Sequence, residues 1–441
     1  MISINRARRE TFAVLADQML VSASNLLTGV LLARSLGPDA YGQYALAMGT
    51  MLFLTSIQTA LIFAPMMVKG PARAEGPDDY YKSLRRAQLY FALAASGLML
   101  VGGLLLAAAF PGWNIAPLVL PLAAAAFCVG MQEFGRRLYL VQRRTLAALI
   151  NDAICHGTRL SLLWLAYTTH VMDAAAAVWV IAGASAFSAV MIGFAGNGTP
   201  SATGRMMVRQ IAHEHWAFGK WLLAGSLAYW CGAQLILYVA ASLLSVGVVG
   251  GMSAALSITG AANVLFLGME NLIPPRATER YRLGGPNALQ GYLIRVSLIG
   301  GLVIVALMMV AGNWNEYWMS FVFGTQYRQY GWLIWWWGLY HLIGFFQRPL
   351  SIALRVLNDT KAVYRSTLGG AGAAILMSGP AIHLHGALGA MVAVCVVQLV
   401  TLVLLAHSYR HAIGKGGIGD ASSMATELPE RSRGLLPGAA V

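Results

Sequence analysis

The sequence predicts an all-α polytopic membrane protein with twelve transmembrane helices, and three observations carry that prediction. Of the 441 residues 58% are hydrophobic and only 11% charged, where a soluble domain has roughly 25% charged residues. The apolar residues come in runs of about 20, the length at which a helix crosses a bilayer. The Lys and Arg residues sit in short clusters between those runs, nearly all on one side of a twelve-span layout. There is too little polar side chain to cover several soluble cores, so a soluble enzyme is excluded.

A window of about 19 residues places the spans at 12–33, 44–68, 89–110, 115–134, 147–168, 174–195, 216–243, 247–272, 293–312, 332–350, 364–382 and 387–409. The fourth has Pro117 and Pro121 near its start, and the eleventh is rich in glycine. None alternates as a lipid-facing strand would, so all are helical. The charged start, Met1 to Glu10, is followed by an apolar stretch without a small-residue cleavage site. That stretch is expected as a retained span rather than a removed signal peptide. With the N-terminus cytoplasmic, 27 of the 30 Lys and Arg fall on the inner side; Arg34 and Arg328 fall outside, and Arg159 lies within a span. Cytoplasmic loops carry the basic residues, so both termini are expected inside. Trp113, Trp164, Trp314, Trp318 and the run Trp335 to Trp337 fall near the outer boundary, and Trp216 and Trp221 near the inner one, where amphipathic rings settle.

The net charge of +13 belongs to this topology, so nucleic acid is not an expected partner; membrane lipids are. Cys128, Cys155, Cys231 and Cys395 all lie in apolar segments and form no CxxC pair, which excludes a disulfide framework and a zinc site. His213-Glu214-His215 lacks HExxH spacing, and no nucleophile–base pair is visible. No cofactor, no metal and no enzymatic activity are expected.

An internal echo sets the architecture. At an offset of 208 residues Ala33, Leu36, Gly42 and Ala47 coincide with Ala241, Leu244, Gly250 and Ala255, each set opening the outer hairpin of a six-span half. This implies two pseudo-symmetric six-helix lobes related by an axis along the membrane normal. The expected divisions are an N-terminal lobe 1–195, a cytoplasmic linker with an interfacial segment 196–215, a C-terminal lobe 216–409 and a disordered cytoplasmic tail 410–441.

The segment Leu31-Leu32-Ala33-Arg34-Ser35-Leu36-Gly37-Pro38-Asp39-Ala40-Tyr41-Gly42-Gln43-Tyr44 resembles the first outer turn of polysaccharide-transport proteins. These include the O-antigen (lipid-linked oligosaccharide) flippases of the multidrug/oligosaccharidyl-lipid/polysaccharide exporter superfamily. The resemblance implies two lobes around a central cavity in a bacterial cytoplasmic membrane. It implies alternating access that moves an undecaprenyl-pyrophosphate-linked oligosaccharide outward, with polysaccharide polymerase or export proteins as partners. Related lipid II flippases usually have fourteen spans, so a peptidoglycan precursor is a poorer fit.

Ionisable groups inside a span face a cavity or a partner. Asp152, His156 and Arg159 share one face of the fifth span. Arg159 lies roughly 18 Å from the inner boundary at about 1.5 Å per residue, near mid-bilayer. It either lines the cavity and meets the pyrophosphate, for which a planar guanidinium is suited, or rests in a structural ion pair with Asp17 or Asp152. Asn25 and Asp17 on the first span, Asn263 on the eighth, and Gln58, Tyr229 and Gln234 are further cavity candidates. Asp152 and His156 are candidates for a coupling ion, with no signal separating proton from sodium. The rival readings are a drug/cation antiporter of the same superfamily, which should carry deep carboxylates, and a membrane glycan polymerase or ligase, which should carry a larger outer loop than 313–331.

Overall fold

The computed structural model describes residues 2–72, 77–195, 204–260 and 262–416, and nearly all of them are helical, with no strand among them. The expected tail beyond residue 416 and part of the expected linker, residues 196–203, lie outside this set. Three long helical runs fold back on themselves at glycines. Ile2–Gln58 breaks at Gly37 (φ 74°), Ala262–Asn313 at Gly284 and Gly285 (φ 64° at the latter), and Thr360–Gly416 at Gly386 (φ 59°). A left-handed φ carries no steric penalty for glycine, and Pro38 and Pro286 then open the next helix with φ already set.

The elements in order are α1 (2–36), α2 (38–72, with one π turn at Thr59–Phe63), α3 (Pro77–Ala109), α4 (Ala116–Val141), α5 (Thr145–Thr168), α6 (Ala174–Ala195) and α7 (Gly204–Leu243). Then follow α8, in two pieces (Val246–Thr259 and 262–283), α9 (286–313), the short α10 (Asn315–Phe323) with a 3₁₀ segment (Thr325–Tyr330), α11 (Leu333–Val356), α12 (360–385) and α13 (387–416). Among the described residues this makes twelve membrane passes, all but α10 serving as one. Each predicted span lies within a helix to within a residue, except that the eighth is broken at Gly260. Seven helical runs are apolar and long enough to cross a membrane on composition alone, and two of them hold two passes. The passes outside that set are α5, which carries Asp152, His156 and Arg159, α8, whose first piece Val246–Thr259 is apolar but short, and α11, which carries Gln347 and Arg348.

The helices pack as two lobes. On one side α1 and α2 pack on α5, α3 on α4, and α4 and α5 on α6; on the other, α7 packs on the α12–α13 pair, and α11 packs on both α9 and that pair. The lobes meet most intimately at the end of the molecule that is poor in charge. There Gly42 lies against the Val246 carbonyl and Gly250 against the Pro38 carbonyl, so close that a Cβ on either glycine would enter the opposing backbone. Pro38 and Val246 are themselves 208 residues apart, as are Gly42 and Gly250. The contact is thus reciprocal, residue for residue, as a pseudo-twofold axis requires. The Arg34 guanidinium crosses the same boundary and donates to the carbonyls of Phe321 (from Nη2) and Val322 (from Nε, 2.6 Å) at the C-terminal end of α10, where a cation is favoured by the helix dipole. The Tyr330 ring lies on Gly251; burial pushes its phenol pKa up, and the negative Asp39 carboxylate nearby pushes it further.

A second seam runs between α2 and α7 toward the basic end. Tyr238 Oη donates to the Leu46 carbonyl (2.9 Å) and meets Thr50 Oγ1 (2.7 Å), and Trp230 Nε1 donates to the Gly49 carbonyl (3.2 Å). Further along, Gly219 sits against the Ala60 carbonyl, and the buried His215 ring meets the Leu61 carbonyl (3.0 Å) and Tyr80 Oη (2.9 Å). The π turn of α2 is what presents these carbonyls, because it leaves the regular i−4 ladder. No comparable seam joins the first lobe to the second piece of α8: the run Ile2–Gln58, through Pro38, Asp39 and Gly42 of α2, packs on Val246–Thr259 and makes few contacts with the piece beyond Gly260. The lobes are therefore in contact at the charge-poor end and along α2 and α7, and share few contacts between α1 and the second piece of α8 at the basic end.

Candidate functional site: the cleft between the lobes

The parted surfaces carry polar side chains at membrane depth. On α1, Gln18, Ser22 and Asn25 are exposed, and Gln18 Nε2 donates to Ser22 Oγ (3.4 Å). On α8, Asn263 and Glu270 are exposed. Large apolar side chains stand beside them, Met19 at 73%, Leu26 at 54% and Leu272 at 58% exposure. A surface that alternates amide, hydroxyl and aliphatic groups offers both a wet path and a greasy one.

Arg159 lies half-buried at the middle of α5 and reaches across to α1, where Nη2 donates to Ser24 Oγ (2.9 Å) and Asn25 Oδ1 (2.9 Å). Ser24 is buried and Asn25 exposed, so the guanidinium sits at the rim between the lobe interior and the cleft. Its Nε is buried with no hydrogen-bond partner, and among the described residues no carboxylate pairs with it. A guanidinium has five N–H donors, and two neutral acceptors leave most of them, and all of the charge, unanswered.

The expected ion pair between Arg159 and Asp17 or Asp152 is corrected by the structure. Both carboxylates belong to Arg136 of α4: Nη2 meets Asp17 Oδ2 at 2.8 Å, and Nε meets Asp152 Oδ2. Asp152 Oδ1 also accepts from Gln132 Nε2 (3.1 Å) and Asn151 Nδ2 (3.3 Å), and Ser188 of α6 in turn holds Asn151. Glu133 lies 3.6 Å from Arg136 Nη1 and 3.7 Å from Arg137 Nε. Asp17 and Asp152 are buried, and Asp17 Oδ1 has no partner. A charge network of this kind ties α1, α4 and α5 together, because removing either sign strands the other in low dielectric. Arg136 reads as a loop charge in the sequence, yet its spacing from Gln132 (i−4) and Glu133 (i−3) puts all three on one helix face, and that was the available signal.

The remaining candidates divide. His156 is half-buried, with Nδ1 unpartnered. Gln58 is a correction: it is buried within the first lobe, donating to Gln88 Oε1 (3.0 Å) and the Gly130 carbonyl (2.8 Å), and does not reach the cleft. Tyr229 is 63% exposed on α7, and Gln234 is half-buried beside Gly49 on the α2–α7 seam. Glu270 is held by Arg348 Nη1 of α11, whose guanidinium also stands 5.2 Å over the Phe266 ring; this pair escaped the sequence reading because the partners are 78 residues apart. Among the described residues no group of three His, Cys, Asp or Glu side chains could hold a metal ion.

The same fold occurs in solved structures. The inward-facing conformation of a multidrug resistance MATE family transporter of the MOP superfamily superposes with a TM-score of 0.71 at 14% identity, over 89% of this chain and 95% of that one. An outward-facing conformation of a MATE family transporter gives 0.61 at 14% identity over 93% and 96%. The eukaryotic MATE transporter AtDTX14 gives 0.59 at 16% identity over 93% and 99%. No protein-family model matches the chain, and no curated protein does. The fold is therefore the two-lobed, twelve-helix fold of MATE transporters.

Proposed function

We propose that this chain is a non-enzymatic transporter of a bacterial cytoplasmic membrane, with its basic end and both termini in the cytoplasm, that flips a lipid-linked oligosaccharide by alternating access. The observation that carries the reading is Arg159, which among the described residues pairs with no carboxylate and reaches α1 on the side where α1 and the second piece of α8 share few contacts. An undecaprenyl-pyrophosphate-linked glycan has three parts, and each finds a surface. The pyrophosphate meets the guanidinium, whose planar donors suit paired oxygens. The glycan lies along Gln18, Ser22, Asn25 and Asn263, which stand in for its lost hydration. The polyprenyl tail stays outside, against Met19, Leu26 and Leu272. Rocking about the α2–α7 seam would then part Gly42 from Gly250 and release the head group on the far side.

The charge of the cargo is argued from bookkeeping within the first lobe. Asp17 and Asp152, the carboxylates a cationic drug would use, are both occupied by Arg136, whereas among the described residues no carboxylate pairs with Arg159. The drug/cation antiporter reading keeps one observation in its favour: structural neighbours are named as multidrug transporters. A titratable group is also needed to drive export, and Asp152 and His156 are the candidates, since they sit on the same helix as Arg159 and within the Arg136 network or beside it. Deleting the protein should leave undecaprenyl-linked oligosaccharide accumulated on the inner leaflet, with polymerase and export partners starved of it. Unchanged lipid-linked pools with normal surface polysaccharide would remove this reading and leave the antiporter.

A further inference from the structure

The charge-poor end carries a second recessed surface, built by α10 and the 3₁₀ segment after it. One cavity of about 550 Å³ has Trp314 and Tyr317 in its wall, with Asn315, Glu316, Ser320 and Arg328 around them. A second, of about 590 Å³, shares Glu316 and Arg328 and is otherwise lined by Thr325, Gln326 and Gln329. The shared pair is an ion pair, Arg328 Nε to Glu316 Oε2 at 2.7 Å, with both side chains more than half exposed. Met319 and Phe323, on the opposite face of α10, are buried in the core and fix its orientation, while Trp314 and Tyr317 stand 58% and 57% exposed.

We propose that this double cleft is a glycan-binding site. Flat aromatic walls next to amides and a carboxylate–guanidinium pair are the chemistry that recognises a sugar: the apolar face of the ring packs on the aromatic plane, and vicinal hydroxyls bridge the paired donors and acceptors. The lining has one cation and one anion, already paired, so it offers no spare charge for a phosphate and disfavours a phospholipid head group. Each cavity is large enough for a small ligand of a few rings. The site also sits on the closure: Gln326 Oε1 lies 3.4 Å from the Cβ position of Gly37, and Arg34 holds the end of α10. A glycan leaving between the lobes would meet this surface first. The inference rests on the flippase reading only for the origin of the glycan.

The test uses the purified full chain in detergent and saturation-transfer NMR with defined soluble disaccharides containing glucose, galactose, N-acetylglucosamine or glucuronate. At least one should receive saturation, and Trp314→Ala and Arg328→Ala should each weaken its binding by about tenfold, the scale of a lost charge-assisted contact. Trp221→Ala, at the basic end, should leave it unchanged. Because Trp and Tyr also anchor proteins in the lipid interface, Ser320→Cys in lipid nanodiscs should react with a membrane-impermeant maleimide, and the label should abolish saturation. Absence of transfer to every sugar, transfer that survives both cleft variants, or a Cys at 320 shielded by lipid would overturn the proposal. The lipid-linked pools of the deletion strain report on the flippase reading separately.

Discussion

The α2–α8 crossing and the facing stretches of α1 and α8 make opposite use of similar sequence. At the charge-poor end Gly42 and Gly250 remove every side chain from the crossing, so two backbones touch and one lobe completes the other. Toward the basic end, Asn25 on α1 and Asn263 on the second piece of α8 are both exposed, and their helices share few contacts. Small residues let helices approach until dispersion and weak polar contacts hold them; amides at membrane depth are costly unless water or a ligand answers them. The first pattern builds a seal and the second leaves a cleft, and the break at Gly260 divides α8 between the two tasks.

The largest effect is expected from Arg136→Ala, which leaves Asp17 and Asp152 buried and facing each other; losing one partner of a buried pair costs about 3–5 kcal/mol. Thermal unfolding in detergent should drop sharply, and Arg136→Lys should recover only part of it, since one ammonium cannot serve two carboxylates in a fork. Gly250→Leu comes next. Its side chain has no room at the seal, so spin labels on α2 and α8 near that end should report a widened distance while the basic end changes little; an unchanged distance would show that the seal is not where the lobes are held. Arg34→Ala removes two charge-assisted bonds from the same seal, and about 1.5–3 kcal/mol for such contacts should raise the open fraction by roughly tenfold or more, read in the same labels. Gln58→Leu lies inside one lobe, away from both regions. It should cost about 1 kcal/mol in stability and leave transport intact, and a transport defect with normal folding would return Gln58 to the cleft.

The twelve passes and the two matched halves were legible because hydropathy and charge asymmetry are properties of long stretches, and an error at one residue does not alter the sum. The Gly42–Gly250 echo was visible as well, although nothing in it said that the two glycines touch. What stayed hidden was pairing. Hydropathy scores each side chain alone, so Arg136 counted as a loop charge and ended the fourth predicted span at 134, while in the fold its charge is answered by Asp17 and Asp152 and the helix runs on to Val141. Gln58 is hard to place for a related reason: Thr50, Thr55, Ser56 and Thr59 are scattered around its helix, so the sequence marks no single polar face, and only the neighbouring Gln88 and the Gly130 carbonyl reveal that its amide is satisfied inside the lobe. Arg159 stands out in the sequence because its depth needs no partner to be noticed.

Arg159 serves either the cargo or the scaffold. The most direct measurement is the inner-leaflet pool of undecaprenyl-linked oligosaccharide in cells carrying Arg159→Ala, quantified together with the amount of folded protein in the membrane. If Arg159 meets the pyrophosphate, the pool rises to the level of the deletion strain while protein abundance stays normal, and Arg159→Lys restores part of the flux. A normal pool, or a raised pool explained by loss of the protein itself, would mean that Arg159 only ties α5 to α1.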